Sequence, residues 1–160
     1  MKHEQSFSTG QYRFAADAML GRLATWLRLL GYDTFYEPHI DDQVLVERAQ
    51  AEGRIILTRD VQLTKRRGVR TLLVESDNVW EQLRQVVQTF SLARRPEGSR
   101  CPRCNLALVP LDKEKAAGRV PEYVWQTQEA FHECPKCRRV FWRGTHIAHM
   151  EARLSEVFDE

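Results

Sequence analysis

Apolar positions at helical spacing mark the first clear element of this chain. From Asp17 onward Met19, Leu20, Leu23, Trp26, Leu27 and Leu30 recur every three or four residues, and Gly31 supplies a stop. Tyr12-Arg-Phe-Ala15 before it and Thr34-Phe-Tyr36 after it read as short strands. Asp41 or Asp42 then caps a helix carrying Val44, Leu45 and Ala49, which ends at Gly53. Arg54-Ile-Ile-Leu-Thr58 is a β-branched run between Gly53 and Asp60, the clearest strand of all. A basic stretch, Lys65-Arg-Arg-Gly68, leads to a strand Thr71-Leu-Leu-Val74. Asp77 precedes a helix whose stripe is Val79, Leu83, Val86, Val87 and Phe90. Strands alternating with helices predict an α/β fold, a parallel sheet covered by helices on its faces.

The pattern changes after Leu92. Ala93-Arg-Arg-Pro-Glu-Gly-Ser99 has linker composition, so the reading is an α/β domain over 11–92, a linker over 93–99 and a second unit over 100–160. Residues 1–10 read as a flexible leader and 145–160 as a short acidic helix.

Composition narrows the function classes. No apolar run approaches the ~20 residues of a membrane span, and the polar N-terminus lacks a signal-peptide core, so a cytoplasmic protein with no membrane partner is expected. Charge is uneven beneath a net +2: residues 1–92 hold twelve basic and twelve acidic side chains, whereas 93–144 hold eleven against six. The basic segment interleaves Arg100, Arg103, Lys136, Arg138, Arg139 and Arg143 with Phe141 and Trp142. That mixture suits nucleic acid, and equally a solvated surface over a tiny core.

That basic segment carries the chain's four cysteines in two pairs, Cys101-Pro-Arg-Cys104 and Cys134-Pro-Lys-Cys137. Two such turns facing each other make a tetrahedral thiolate cage for zinc, structural because four thiolates leave no open position. Two redox motifs or two disulfides are the alternatives, disfavoured because neither pair follows a βαβ pattern and nothing marks the chain as secreted. The gap between the pairs exceeds the usual ribbon spacing of about 15–20 residues, which implies an inserted hairpin or loop.

Aspartates follow the strands. In an open parallel sheet ligands bind beyond the carboxyl ends of the strands. Asp17 follows the first strand, Asp41 and Asp42 the second, Asp60 the third and Asp77 the fourth. Gathered on one edge, they would repel unless cations lay between them, and such oxygen-rich sites suit Mg²⁺ or Mn²⁺. Ions of that kind serve phosphodiester cleavage by activating water and neutralising charge on the reacting phosphate. Arg59, Arg22 and Arg28 are candidates to hold phosphates near the reaction, with Lys65, Arg66 and Arg67 further out. Each aspartate also precedes a helical pattern, and Asp is a favoured N-cap, so the capping reading stays open. Thr58 either orients Asp60 or fills a β position. His146 and His149 read as surface residues or as auxiliary acid or metal ligands.

The run from Phe14-Ala-Ala-Asp17 through Gly21, Ala24, Arg28 and Gly31 to Asp33 resembles the opening of the Mut-seven C-terminal ribonuclease-domain family. Arg54-Ile-Ile-Leu-Thr-Arg-Asp60, the two cysteine pairs and Trp142-Arg-Gly-Thr-His146 resemble its later motifs, with Thr145 where the family has Ser. The resemblance implies a PIN-like sheet followed by a zinc ribbon, and a metal-dependent endoribonuclease acting on RNA. It implies that Asp17, Asp42 and Asp60 are the acidic residues, with Asp77 as candidate fourth acid and Asp41 as a cap. Some PIN-like relatives are silenced by antitoxins, so an inhibitory protein partner is a further expectation. A non-catalytic RNA- or ribosome-binding protein is the alternative. A phosphoryl-transfer fold of the receiver kind ranks last, because no suitable Lys follows Val74 before the linker.

Overall fold

Side-chain alternation in the strands decides how the first unit is layered. The computed structural model describes residues 12–93, 99–143 and 145–158. The leader read over 1–10 and the linker positions 94–98 lie outside the described residues, as do the side chains of His146 and His149. Strands β1 (Phe14–Ala16), β2 (Thr34–Phe35), β3 (Ile55–Thr58) and β4 (Thr71–Leu73) run parallel in the order β2-β1-β3-β4. Phe14, Ala16, Ile55 and Leu57 join a core with residues of α1 (Gly21–Leu29), α4 (Val79–Phe90) and α7 (Thr145–Phe158). Ala15 and Ile56 join the opposite core with α2 (Asp42–Glu52) and α3 (Val61–Thr64). Fully burying each large aliphatic side chain contributes about 1.5–3 kcal/mol, which fixes the strands' facing.

Some expected positions shift. Met19 and Val44, read as inward stripe residues, are 67% and 46% exposed. Met19 lies in a 3₁₀ turn over Ala18–Leu20, whose tighter winding puts it out of phase with α1, and Val46 takes the inward place on α2. Trp26 is partly buried against the core, 4.7 Å from the ring of Trp80. The helix grouped above with the cysteine segment packs on α4, and its Leu154 and Val157 enter the first core.

Connectivity creates the crevice. Helix α1 carries the chain from β1 to β2, and α2 carries it back past β1 to β3. Strand order therefore reverses between β1 and β3, and ligands favour the carboxyl ends beside such a switch point.

The second unit is an antiparallel sheet β5-β6-β7, with β5 (Val109–Leu111), β6 (Phe131–Glu133) and β7 (Val140–Phe141). The insert expected as a hairpin or loop holds two short helices, α5 (Lys113–Ala116) and α6 (Glu122–Thr127). Leu111, Ala116, Val124 and Phe131 form its small core, and Trp125 donates its indole N–H to Lys113 O at 2.8 Å. Trp142 packs against this core. No described helix is long and apolar enough to cross a membrane.

Candidate metal centres

The two cysteine turns are built alike. Cys101 N–H donates to Leu106 O, and Asn105 N–H returns to Cys101 O; Cys134 N–H donates to Arg139 O, and Arg138 N–H returns to Cys134 O. Asn105 and Arg138 occupy matching left-handed positions, φ 61° and 66°. Cys101 and Cys134 are buried, and all four sulfurs lie within 4.8 Å of one another. Cys101 Sγ and Cys137 Sγ are 3.7 Å apart. A zinc tetrahedron with arms of about 2.3 Å has an edge of about 3.8 Å, and the Cys101–Cys137 pair stands at that spacing. Backbone N–H groups of Cys104, Lys136 and Cys137 point at Cys101 or Cys134 sulfur. Burial raises the pKa of the Cys134 thiol, but the Cys137 and Lys136 N–H groups outweigh it and bring the value down to about 7. Burial beside the other sulfurs pushes Cys104 up to about 12. The donor set fits structural zinc, which would replace the protons these crowded thiols otherwise keep.

The second centre lies at the switch point. Asp17 follows β1, is 8% exposed, and accepts the Thr58 hydroxyl on Oδ2 at 2.7 Å and Ala18 N–H on Oδ1 at 2.8 Å. The same Thr58 hydroxyl accepts Asp60 N–H at 2.9 Å. One buried hydroxyl at the end of β3 thus ties both aspartates together. Asp42 opens α2, where Asp41 is the cap, accepting Gln43 N–H at 3.1 Å. Burial, then the negative charges of Asp17 and Asp60, push the Asp42 carboxyl above its usual range, with Arg66 opposing them. Asp17 and Asp60 thus both act on Asp42 through their charge.

Capping and clustering coexist here. Asp17 and Asp60 each commit one oxygen to a cap, Asp60 Oδ1 accepting Gln62 N–H at 2.9 Å. Among the described residues only the four cysteines bring three or more ligand atoms within 4.8 Å; the aspartates stand more loosely. Mg²⁺ tolerates that, since it keeps several waters and takes one or two carboxylates. Asp77 is exposed, and Asn78 takes the cap of α4 by accepting Trp80 and Glu81 N–H groups.

Arg28 departs from its expected role. It is buried, donating Nε to Thr34 O at 2.9 Å and Nη1 to Pro102 O at 2.7 Å, so it is a tether between the two units and unavailable to phosphate. Arg22, Arg59, Lys65, Arg66 and Arg139 are exposed, and Arg66 Nη1 donates to Gln43 Oε1 at 2.8 Å beside Asp42. A cleft of about 240 Å³ lies at the opposite, amino edge of the sheet, lined by Tyr12, Arg13, Arg54 and Arg70 among others. Its arginines Arg13 and Arg54 are paired with Asp33, so it is not the acid site.

A family model described as the Mut7-C RNAse domain matches residues 12–154. The chain belongs to the Mut7-C RNAse domain family. Membership points to a ribonuclease and makes RNA the substrate class. The chain matches no curated protein and no solved structure. The matched span of this Mut7-C chain covers the parallel sheet, the cysteine segment and the closing helix almost to its end.

Periodicity does not reveal Asn105, Asp33, Arg54 or Tyr36, which join the two units or support the acid turn. For Asn105 a signal exists: the residue after the second cysteine of such a turn is left-handed, a position Asn tolerates. Nothing local marks Tyr36.

Proposed function

We propose that this chain is a Mg²⁺- or Mn²⁺-dependent endoribonuclease whose metal is held by Asp17, Asp42 and Asp60. The observation that carries the reading is the Thr58 hydroxyl joining Asp17 Oδ2 to Asp60 N–H at the switch point, with Asp42 facing both charges. A bound divalent ion supplies water activation near neutral pH and neutralises charge on the phosphate under attack. Thr58 keeps Asp17 turned to the crevice and in register with Asp60. Asp42 binds the cation only when ionised, so protons compete with metal there. Arg66, Arg59, Arg22 and Lys65 line up RNA phosphates by charge, and exposed ribbon cations such as Arg139 extend that track.

Zinc-loaded protein incubated with a panel of RNAs, with and without Mg²⁺ or Mn²⁺, tests the reading. Internal scission that requires the ion and is lost in Asp17→Asn and Asp60→Asn is expected. Equal cutting by these variants removes the site. The cap geometry of Asp17 and Asp60 favours one second reading, a non-catalytic RNA- or ribosome-binding protein acting through the ribbon. It requires binding that divalent ions leave unchanged, a steep salt dependence and no scission.

A further inference from the structure

The edge strand β2 is two residues long, and its two ends touch the two centres. At its amino end Thr34 is fully buried, and among the described residues no strand pairs with its outer side. Its backbone groups there are satisfied by side chains: Asn105 Oδ1 accepts Thr34 N–H at 3.1 Å, and Arg28 Nε donates to Thr34 O at 2.9 Å. A buried peptide group left unsatisfied is costly, so these two side chains act as the missing neighbour strand.

Asn105 belongs to the first cysteine turn and cannot move independently of it. Its N–H is held by Cys101 O, its carbonyl accepts Arg100 Nη1 at 2.7 Å, and its Nδ2 donates to Asp33 Oδ1 at 2.7 Å. Arg28 grips the same turn through Pro102 O, and Arg100 N–H donates to Arg28 O at 2.8 Å. The position of β2 therefore depends on a turn whose shape depends on the cysteine cage.

At its carboxyl end β2 runs into Tyr36. The Tyr36 hydroxyl donates to Ala18 O at 2.8 Å, inside the turn that Asp17 caps. Its ring lies against Gly21 so closely that a Cβ there would sit 2.8 Å from the hydroxyl oxygen. Tyr36 thus supports the turn from below while Thr58 holds the Asp17 carboxylate.

We propose that Asn105 and Tyr36 are positioning residues for the acid site, acting through β2, so that the first zinc turn braces Asp17. The inference rests on the nuclease reading for its consequence in catalysis, though not for the brace itself. Loss of the brace lets β2 shift, and the Ala18–Leu20 turn shifts with it.

Three variants test this in full-length, zinc-loaded protein. Asn105→Gly keeps the left-handed turn and removes only the amide. It should retain its zinc, raise amide exchange at Thr34, and raise it also at Ala18 and Leu20. Tyr36→Phe should raise exchange at Ala18 and Leu20 alone. Asn105→Asp keeps an acceptor for Thr34 but sets a carboxylate against Asp33, and should be no better than Asn105→Gly. RNA cleavage by Asn105→Gly should lose kcat by about threefold to thirtyfold, the span of coupling through packed networks, with KM little changed. Wild-type exchange at Ala18 and Leu20 in zinc-loaded Asn105→Gly overturns the brace. Raised exchange with unchanged kcat overturns the positioning role. A wild-type protein that cuts no RNA sinks the nuclease reading, and exchange alone then decides the brace.

Discussion

The cysteine cage and the carboxylate edge are held by different means. In the cage, backbone N–H groups and two left-handed turns hold four sulfurs within 4.8 Å of one another. At the edge, caps and one threonine hydroxyl hold carboxylates that repel one another and stay further apart. A closed donor set converts metal binding into folding energy, whereas a loose, partly solvated set leaves room for water and substrate. Under the proposed function, the cage keeps its ion and the acid edge uses one.

The largest effect expected from breaking this contrast is on the cage. Cys134→Ser should abolish stoichiometric zinc binding and unfold the ribbon, read by metal analysis and by loss of amide protection over Phe131–Glu133. Next comes the acid site, where Asp17→Asn should lower RNA cleavage by about a hundredfold or more while circular dichroism stays native. Thr58→Val should be intermediate. It removes the hydroxyl linking Asp17 and Asp60 while keeping a β-branched fill, and should cost about 1–3 kcal/mol of stability together with most of the activity.

Smaller effects follow from proton linkage, with opposite signs in the two regions. Asp42 is raised, so its ionisation costs nothing below the ordinary carboxylate range and is fully felt above its folded pKa. Asp42→Asn should therefore raise the metal-free melting temperature by about a degree or more near neutral pH, an advantage that vanishes in acid. Asp33 is lowered: burial pushes it up, but hydrogen bonds from Arg54 and Asn105 outweigh that. Its stabilisation is present above the unfolded value of 3.8 and is lost as pH falls through the lower folded one. Asn105→Gly should thus melt at a higher pH in acid titration than the parent chain.

How much of this is legible in the sequence depends on the range of the interaction. The buried stripe Val79, Leu83, Val86, Val87 and Phe90 follows from period alone, as do the strand Ile55–Thr58 and the left-handed stop at Gly53. The cysteine spacing is equally local and announces its chemistry. Asp17 and Asp60 can be suspected from their place after strands, because parallel topology brings such ends together. Met19 and Val44 mislead because a 3₁₀ turn and a shifted helix face change phase without a clear composition mark. Arg28 misleads more deeply: an arginine on a helix near an acidic turn suggests phosphate, yet its partners are carbonyls six and seventy-four residues away. No window along the chain contains that information.

Anomalous diffraction from crystals of the zinc-loaded protein soaked in Mn²⁺ tests the central claim most directly. A manganese peak bonded to at least two of Asp17, Asp42 and Asp60 is expected, and none at Asp77. Crystals saturated with Mn²⁺ that show no peak at this edge would contradict it.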